Sequence, residues 1–452
     1  MKSPRIELSS NRIVIDQETE IRLSGFRPYS QVTITATLSD DTNTEWCSEA
    51  AFNTDGTGSV DLSRTAPVSG TYAGTDCDGL FWSMAPVAPE KYDEFKLNGA
   101  KEEAARTPSI FAHASGLPYY ESDRPDVIRL EACVDGKTVA SAELMRDRFP
   151  TNVIETEVAD GSLRGLLFEP KGKPSLPGII RISGSGGGVS RQESSILASH
   201  GFSVLNLAYF NYRDLPAFQY EISLEYFREG IEWLQKHIGH DRIALVGPSR
   251  GGEGVLAIAS AFPEKVAAVV ANVPGDVYGS GADDKGNTSS AWSLGGQPLP
   301  YAGTPEDYAL VAPELLDVMK APEGRIFESA RAMAFMLDPA VYERTAIPIE
   351  RIQCPILFIS GRDDQCWSSY EMSLRAVKRL KEKGFEYPVK HLGFEDAGHM
   401  LSFPGLPTTM GACVFHPHLK IYFTMGGRPA ATARAQRQSW QETIRFLKDV
   451  LA

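Results

Sequence analysis

The stretch ALVGPSRGGEGVLAIAS, residues 244–260, constrains the fold of this chain more than any other part of the sequence. An apolar run ends in a glycine, a serine stands two positions later, and a run of small residues with helical character follows. Residues 247–251 read G-P-S-R-G and fit the pattern G-x-S-x-G, in which a sharp strand-to-helix turn exposes a serine above a sheet. The pattern predicts that Ser249 is a nucleophile.

Apolar runs of strand length alternate with helical patterns from Thr151 onward. The predicted strands are PGIIRIS, FSVLNLAYF, RIALVG, VAAVVANVPG and PILFISG, and the predicted helices include QESSILASHG and SLEYFREGIEWLQKH. Strands that are apolar throughout and alternate with helices indicate a mostly parallel sheet covered on both faces. Residues 275 to about 345 interrupt this rhythm with glycines and prolines, so we expect an insertion over the strand ends there.

Residues 1–148 have a different character and predict β structure. In the run VTITATL the alternate residues Val32, Ile34, Ala36 and Leu38 would face one side of a strand. Asp135-Gly136 lies between two strand-like runs, a signal for a tight hairpin. We therefore expect an immunoglobulin-like β-sandwich over residues 1–148, and an α/β domain over residues 149–452 that carries the insertion.

A serine nucleophile needs a histidine that takes its proton and a carboxylate that orients the histidine. GRDDQCW follows a predicted strand and offers Asp363 and Asp364, and GFEDAGHML carries His399 in a later loop. The order Ser, Asp, His is that of an α/β-hydrolase. The common G-x-x-D spacing selects Asp364 as the acid, and Asp363 stays the alternative.

The glycine-rich run SGSGGGVSR, residues 183–191, follows a predicted strand and opens a helix. Its backbone N–H groups are candidates for an oxyanion hole, together with the N–H of Arg250. We expect Ser185 or Gly186 to supply the second donor, and Gly187 and Gly188 to bind substrate. Such turns also bind phosphate, but this one lacks the Lys-Ser/Thr ending of a P-loop.

The overall composition narrows the possible partners. A net charge of −13 argues against nucleic-acid and anionic-membrane binding. The six cysteines form no zinc-ligand spacing, and neither a signal sequence nor a membrane-spanning run is present, so we expect a cytoplasmic location. The predicted chemistry needs no metal and no cofactor, and the sequence says nothing about oligomeric state.

Several stretches together resemble the acyl-CoA thioesterase and bile acid-CoA:amino acid N-acyltransferase family, over nearly the whole chain. They are ATLSDDTNTEWCSEAAFNTDGTGSVDLSR, SGTYAGTDCDGLFWSMAP, SGSGGGVSRQESSILASHGFSVLNLAYFNYRDLP, LEYFREGIEWLQKH, GRDDQCWSS, AGHML and GGRPAATARAQRQSWQETIRFL. The resemblance implies an immunoglobulin-like domain on an α/β-hydrolase domain that cleaves acyl-CoA thioesters through an acyl-enzyme intermediate. It also implies that Ser249 is the nucleophile, Asp364 the acid and His399 the base.

Family members that transfer the acyl group to an amine tend to have cysteine at the nucleophile position, so the serine of this chain favours hydrolysis. The elbow departs from the long-chain thioesterases in Pro248 and Arg250, and Arg250 is placed to bind a carboxylate or phosphate of an unusual substrate. The sequence therefore predicts a serine acyl-CoA thioesterase acting on a small-molecule acyl thioester. The alternatives are an acyltransferase, or a cyclising, ester, lactone or amide hydrolase, acting on a specialised acyl or peptidyl substrate, and a binding protein without activity.

Overall fold

The computed structural model of this 452-residue chain describes residues 3–41, 43–88, 123–172, 176–311, 326–327, 329–409, 413–416 and 421–452. The chain divides into two compact units. The first contains Met1–Pro150 and Pro404–Pro417, and the second contains Thr151–Phe403 and His418–Ala452.

The segment Pro404–Pro417 differs from the sequence-based expectation, which placed every residue after 148 in the α/β domain. Arg146 Nη1 donates to Gly405 O at 2.8 Å, and Thr408 N donates to Trp82 O at 3.0 Å. These hydrogen bonds place the segment in the first unit. Such a pairing between positions far apart in the chain leaves no local signal in the sequence.

The first unit is built from strands. Its described elements are β1 (Arg5–Leu8), β2 (Arg12–Val14), β3 (Ile21–Ser24), β4 (Gln31–Ser39), β5 (Glu45–Asn53), β6 (Val60–Asp61), β7 (Ser69–Gly70), α1 (Gly79–Trp82), β8 (Ala85–Pro86), β9 (Asp126–Val134) and β10 (Lys137–Asp147). One sheet has the order β1-β3-β6, and the other has the order β2-β10-β9-β4-β5-β7 with β8 beside β5. The β2–β10 pair is parallel, and the other described pairs of this unit are antiparallel.

Two local predictions for this unit are confirmed. Val32, Ile34, Ala36 and Leu38 of β4 are all buried, as their alternation indicates. Between β9 and β10, Asp135 and Gly136 have φ angles of 51° and 72°, the geometry of a two-residue hairpin turn. The immunoglobulin-like arrangement of the strands stays a prediction.

The second unit alternates strands and helices. Its described strands are β11 (Val153–Asp160), β12 (Leu163–Pro170), β13 (Gly178–Arg181), β14 (Ser203–Ala208), β15 (Ile222–Ser223), β16 (Ile243–Pro248), β17 (Ala268–Asn272), β18 (Ser280–Ala282), β19 (Thr288–Ser290), β20 (Trp292–Leu294), β21 (Gln297–Pro298), β22 (Ile326–Phe327), β23 (Ile356–Gly361), β24 (Val389–Phe394) and β26 (Ile421–Thr424). The strand between the last two, β25 (Cys413–His416), belongs to the first unit. Its described α-helices are α2 (Arg191–Ser199), α3 (Leu224–Ile238), α4 (Arg250–Ala261), α5 (Pro305–Val311), α6 (Ser329–Ala332), α7 (Pro339–Thr345), α8 (Ser369–Glu382) and α9 (Pro429–Leu451).

The central sheet has the order β11-β12-β14-β13-β16-β17-β23-β24. The pairs β11–β12 and β12–β14 are antiparallel, and every pair from β14 to β24 is parallel. This is the sheet of an α/β-hydrolase, so the predicted fold class is confirmed. Residues 273–355 connect β17 to β23 and correspond to the insertion expected near residues 275–345.

Helix α3 shows how the sequence sets an element of this unit. Ser223 Oγ accepts a hydrogen bond from Glu225 N at 3.2 Å at its start, and Gly239 ends it with a left-handed φ of 66°. Its buried face consists of Leu224, Phe227, Gly230, Ile231, Leu234 and Ile238, three or four positions apart for the most part. The predicted helix SLEYFREGIEWLQKH is therefore confirmed.

The parallel strands end at one edge of the sheet, and the candidate residues follow those ends. Ser249 follows β16, Asp364 follows β23, and His399 lies beyond the end of β24. The loop of residues 182–190 follows β13. Because the carboxyl ends of parallel strands meet at this edge, side chains distant in sequence come together there.

Candidate active site

Ser249 occupies the turn between β16 and α4. Its backbone has φ 57° and ψ −124°, a conformation that residues with a Cβ rarely adopt. Glycines on both sides make the turn this tight: a Cβ on Gly247 would lie 2.3 Å from Gly251 O, and one on Gly251 would lie 2.7 Å from Ser183 O. Strain of about 1–3 kcal/mol per residue is typical of functional sites. The turn therefore has the form that the sequence predicts.

Ser249, His399 and Asp364 form one chain of hydrogen bonds. The distance from Ser249 Oγ to His399 Nε2 is 2.9 Å, and the distance from His399 Nδ1 to Asp364 Oδ2 is 2.8 Å. Because an ionised carboxylate only accepts hydrogen bonds, Nδ1–H donates to Asp364, and Nε2 can accept the proton of the serine hydroxyl. His399 and Asp364 are 6% and 7% exposed, so water hardly competes for these bonds.

The carboxylate of Asp364 is held by donors from the residues that follow it. Its Oδ1 accepts hydrogen bonds from Cys366 N at 2.9 Å and from Trp367 N at 3.2 Å. Its Oδ2 accepts from Ser369 Oγ at 2.5 Å, besides the imidazole of His399. These donors fix the orientation of the carboxylate toward the histidine.

The neighbouring Asp363 points to a different set of partners. Its Oδ2 accepts from Gly427 N at 3.0 Å and its Oδ1 from Gln365 Nε2 at 2.7 Å. Its own N–H donates to Ala397 O at 3.0 Å, two residues before His399. The sequence offers two candidates for the acid, and the structure brings Asp364 into contact with the imidazole. Asp363 instead hydrogen-bonds to the backbone near His399 and Gly427.

The surroundings of His399 stabilise its charged form. Burial disfavours the imidazolium, but Asp364 and Cys366 outweigh it and raise the pKa of His399 well above 6.5. The ring of Trp367 packs edge-on against the imidazole, with centroids 5.4 Å apart. The packing of Trp367 holds the imidazole in place, and the raised pKa makes the imidazole a stronger proton acceptor.

The loop after β13 lies against the serine. A Cβ on Gly184 would lie 3.3 Å from Pro248 O and 3.4 Å from Ser249 Cβ, so the backbone of this loop runs beside the serine. Within the part of the chain that the structure describes, the N–H groups of Ser185, Gly186 and Arg250 have no acceptor. These are the three groups that the sequence predicts as oxyanion donors.

Gly187 and Gly188 use their N–H groups within the protein, and the substrate binding expected from the sequence stays a prediction. Gly187 N donates to Gly184 O at 3.1 Å, and Gly188 N donates to Phe210 O at 3.0 Å. Both have positive φ angles, 66° and 64°. These glycines shape the loop, and their N–H groups are already used within the protein.

The side chain of Arg250 is hydrogen-bonded within the protein, and the carboxylate or phosphate site expected from the sequence stays a prediction. Its Nη1 donates to Glu253 Oε2 at 2.7 Å, and its Nη2 donates to Ser280 O at 2.6 Å. Glu253 is fully buried and is not among the residues that the sequence singled out. A lone acidic residue in the otherwise small and apolar stretch GGEGVLAIAS, residues 251–260, was the available signal.

The described residues include few groupings of side chains that could ligate a metal ion. One group of three, Glu18, Cys77 and Asp78, has ligand atoms within 4.8 Å of one another, and it belongs to the first unit. None of the described helices combines the length and the apolar character that a membrane span requires. Cys47, Cys77, Cys133, Cys354 and Cys366 are free thiols in the structure.

Comparison with known proteins gives family matches to both parts of the chain. Residues 16–160 match the acyl-CoA thioester hydrolase/BAAT N-terminal region, and residues 222–452 match the BAAT/acyl-CoA thioester hydrolase C-terminal region. Acyl-coenzyme A amino acid N-acyltransferase 2 of Mus musculus is 31% identical, over 98% of this chain and 96% of that protein. Acyl-coenzyme A thioesterase 1 of Homo sapiens is 30% identical, over 97% and 94%. Acyl-coenzyme A thioesterase 2, mitochondrial, of Homo sapiens is also 30% identical, over 97% and 82%.

The two family matches, the full-length relatives and the α/β-hydrolase sheet agree with the resemblance found in the sequence. The chain belongs to the acyl-CoA thioester hydrolase/BAAT family.

Proposed function

We propose that this protein is a serine hydrolase that cleaves acyl-CoA thioesters to a free acid and CoA. The observation that carries the proposal is the pair of hydrogen bonds, 2.9 Å and 2.8 Å long, that join Ser249 to His399 and His399 to Asp364. Relatives of about 30% identity that are named as acyl-coenzyme A thioesterases support the substrate class.

In the acylation step, Ser249 Oγ attacks the thioester carbonyl while His399 Nε2 takes its proton. The negative charge on the carbonyl oxygen is held by the N–H of Arg250 and by that of Ser185 or Gly186. The C–S bond then breaks, and the imidazolium returns its proton to the leaving thiolate. The product of this step is an acyl ester of Ser249 and free CoA.

In the second step, water replaces the thiol. His399 takes a proton from the water, whose oxygen attacks the acyl ester, and the same donors hold the second oxyanion. Collapse of this intermediate returns the proton to Ser249 Oγ and releases the acid. Asp364 stays ionised throughout and stabilises the imidazolium that forms in each step.

Transfer of the acyl group to an amine is the second candidate function. The relative named as an amino acid N-acyltransferase is 31% identical, as close as the thioesterases. The serine at position 249 favours water as the acceptor, since family members that transfer to amines tend to have cysteine there. The cytoplasmic location expected from the sequence stays a prediction, and the relatives include proteins named as mitochondrial.

A mass-spectrometric time course with a panel of acyl-CoA thioesters, with and without glycine or taurine, tests both candidates. We expect free acid and CoA from the wild type, an acyl adduct on Ser249, and neither with Ser249→Ala. Ser260→Ala is the matched control, because this buried serine lies at the far end of α4 and its hydroxyl has no partner in the described structure. An amide product would assign the protein to the transferases, and turnover of simple esters without any thioester would refute the substrate class.

A further inference from the structure

A buried carboxylate lies one helical turn after the serine. Glu253 in the first turn of α4 is 0% exposed. Its Oε2 accepts a hydrogen bond from Arg250 Nη1 at 2.7 Å. Its Oε1 accepts from Gly279 N at 2.9 Å and from Trp292 Nε1 at 2.7 Å. A fully buried carboxylate is costly unless donors surround it, and here three donors from three segments do so.

Glu253 contacts the start of α4 through the side chain of Arg250. The guanidinium of Arg250 is fixed between Glu253 and Ser280 O, and its side chain is only 14% exposed. The fit is close, since a Cβ on Gly279 would lie 1.8 Å from Arg250 Nη1. The backbone N–H of Arg250 is one of the proposed oxyanion donors. The side chain thus anchors the residue whose main chain serves the reaction.

Glu253 is also connected to the loop after β13, through Trp292 and Tyr209. The indole of Trp292 stacks on the ring of Tyr209, with centroids 5.6 Å apart and planes 27° from parallel. The hydroxyl of Tyr209 donates to Ser183 O at 2.8 Å. Ser183 opens the loop in which Ser185 and Gly186 offer the second oxyanion donor. Both sides of the proposed oxyanion hole are therefore connected to Glu253 through contacts inside the protein.

We propose that Glu253 is a positioning residue for the oxyanion hole, acting through Arg250 on one donor and through Trp292 and Tyr209 on the other. This inference rests on the proposed function of Ser249. Displacing a donor by about 1 Å costs on the order of 10²-fold in rate, so small shifts within this network have large effects on turnover. The buried ion pair thereby sets geometry that a purely apolar packing would leave less defined.

The test is Glu253→Gln, which keeps the shape of the side chain but removes the charge that faces Arg250. We expect kcat for thioester hydrolysis to fall about 10- to 100-fold, less than the roughly 10²- to 10³-fold loss typical when an oxyanion donor is removed outright, while KM changes little. Binding of an acyl trifluoromethyl ketone, whose adduct with Ser249 carries an oxyanion, should weaken by a similar factor. A merely structural role would lower the melting temperature without this joint loss in kcat and adduct affinity.

Three further variants sharpen the result. Glu253→Asp keeps the charge and should recover part of kcat. Trp292→Phe keeps an aromatic ring against Tyr209 but removes the indole N–H, and it should lower kcat less than Glu253→Gln does. Glu350→Gln removes a carboxylate that pairs with Arg379 at 2.9 Å in another part of the unit, and it should leave kcat unchanged.

An unchanged kcat and unchanged ketone affinity in Glu253→Gln would overturn the inference. So would a loss explained entirely by fewer folded molecules, counted by titration of reactive Ser249 with a fluorophosphonate. Should the wild type hydrolyse no thioester, the rate of fluorophosphonate labelling at Ser249 replaces kcat. A slower labelling rate in Glu253→Gln would then support the network even though the proposed substrate had failed, and an equal rate would refute it.

Discussion

Two adjacent carboxylates face different partners, and this difference predicts different outcomes when each is replaced. Asp364 contacts His399 Nδ1 at 2.8 Å, whereas Asp363 contacts Gly427 N and Gln365 Nε2. We expect Asp364→Asn to lower kcat by about 10⁴-fold, because the amide no longer stabilises the imidazolium and favours the wrong tautomer. Steady-state kinetics on both asparagine variants measures this.

Asp363→Asn is the matched control, since the amide keeps an oxygen that can accept from Gly427 N. Its kcat should stay within about tenfold of the wild type, because this carboxylate acts on the loop and not on the imidazole. The assignment of the acid would be wrong if Asp363→Asn proved the more damaging of the two substitutions.

The pH dependence of the reaction follows from the surroundings of His399. Burial lowers the pKa of this imidazole, but Asp364 and Cys366 raise it well above 6.5 in total. Below that pKa the ring is protonated and cannot take the proton of Ser249. We therefore expect kcat/KM to rise with pH, with its half-maximum clearly above 6.5.

Cys366→Ala removes one of the two groups that raise the pKa of His399. The half-maximum of kcat/KM should move to lower pH in this variant. Cys354→Ala is the control, because that buried thiol lies before β23 and not after it. An activity profile with its half-maximum at or below 6.5 in the wild type would contradict this account of the site.

At the scale of elements, the turn from β16 to α4 depends on how closely the helix approaches the loop after β13. A Cβ on Gly251 would lie 2.7 Å from Ser183 O, a backbone atom that cannot move aside alone. We expect Gly251→Ala to push the helix start away from this loop and to reduce kcat by up to about 10²-fold, the loss that a displacement of about 1 Å can cause. Kinetics combined with thermal unfolding measures the effect.

Gly254→Ala, on the same helix, is the control variant for Gly251→Ala. An added Cβ there would lie 2.9 Å from Ile182 Cδ1, the flexible end of a side chain, and from Trp292 Cη2. It should cost stability with a smaller loss of kcat than Gly251→Ala. Equal kinetic losses in both variants would argue against a special role for the approach at Gly251.

At the scale of the whole molecule, the first unit contains its own buried ionic group. Asp126 has a fully buried side chain and lies 3.1 Å from Arg146 and 3.0 Å from Arg148. Asparagine removes the buried negative charge that faces the two arginines, and loss of one member of a buried ion pair costs about 3–5 kcal/mol. We expect Asp126→Asn to lower the unfolding transition of the first unit in calorimetry, and to leave that of the second unit in place.

Glu143→Gln is the control, because its pair with Arg129 is 3.9 Å long and both side chains are more than 60% exposed. An exposed pair of this kind contributes about 0–1 kcal/mol, so the transition should hardly move. A single transition that shifts as a whole in Asp126→Asn would show that the two units do not unfold separately.

Local pattern determined much of this protein from sequence alone. Sequence patterns correctly predicted four features: the alternation in β4, the apolar strands of the sheet, the amphipathic helix α3 and the G-x-S-x-G turn. Each of these features depends on residues only a few positions apart, so its signal is contained in a short stretch of sequence. The positions Ser249 and His399 followed from the same kind of signal, and both lie where the sequence expects them, at the carboxyl edge of the sheet.

Tertiary structure alone decided the contacts between segments that are distant in sequence. It turned Asp364 rather than Asp363 toward His399, bonded Gly188 N to Phe210 O, and placed Gly279 N and Trp292 Nε1 on the carboxylate of Glu253. It also joined Pro404–Pro417 to the first unit. The physical reason is that a side chain's direction and a donor's partner depend on which part of the chain lies opposite, and only chain folding brings that part close.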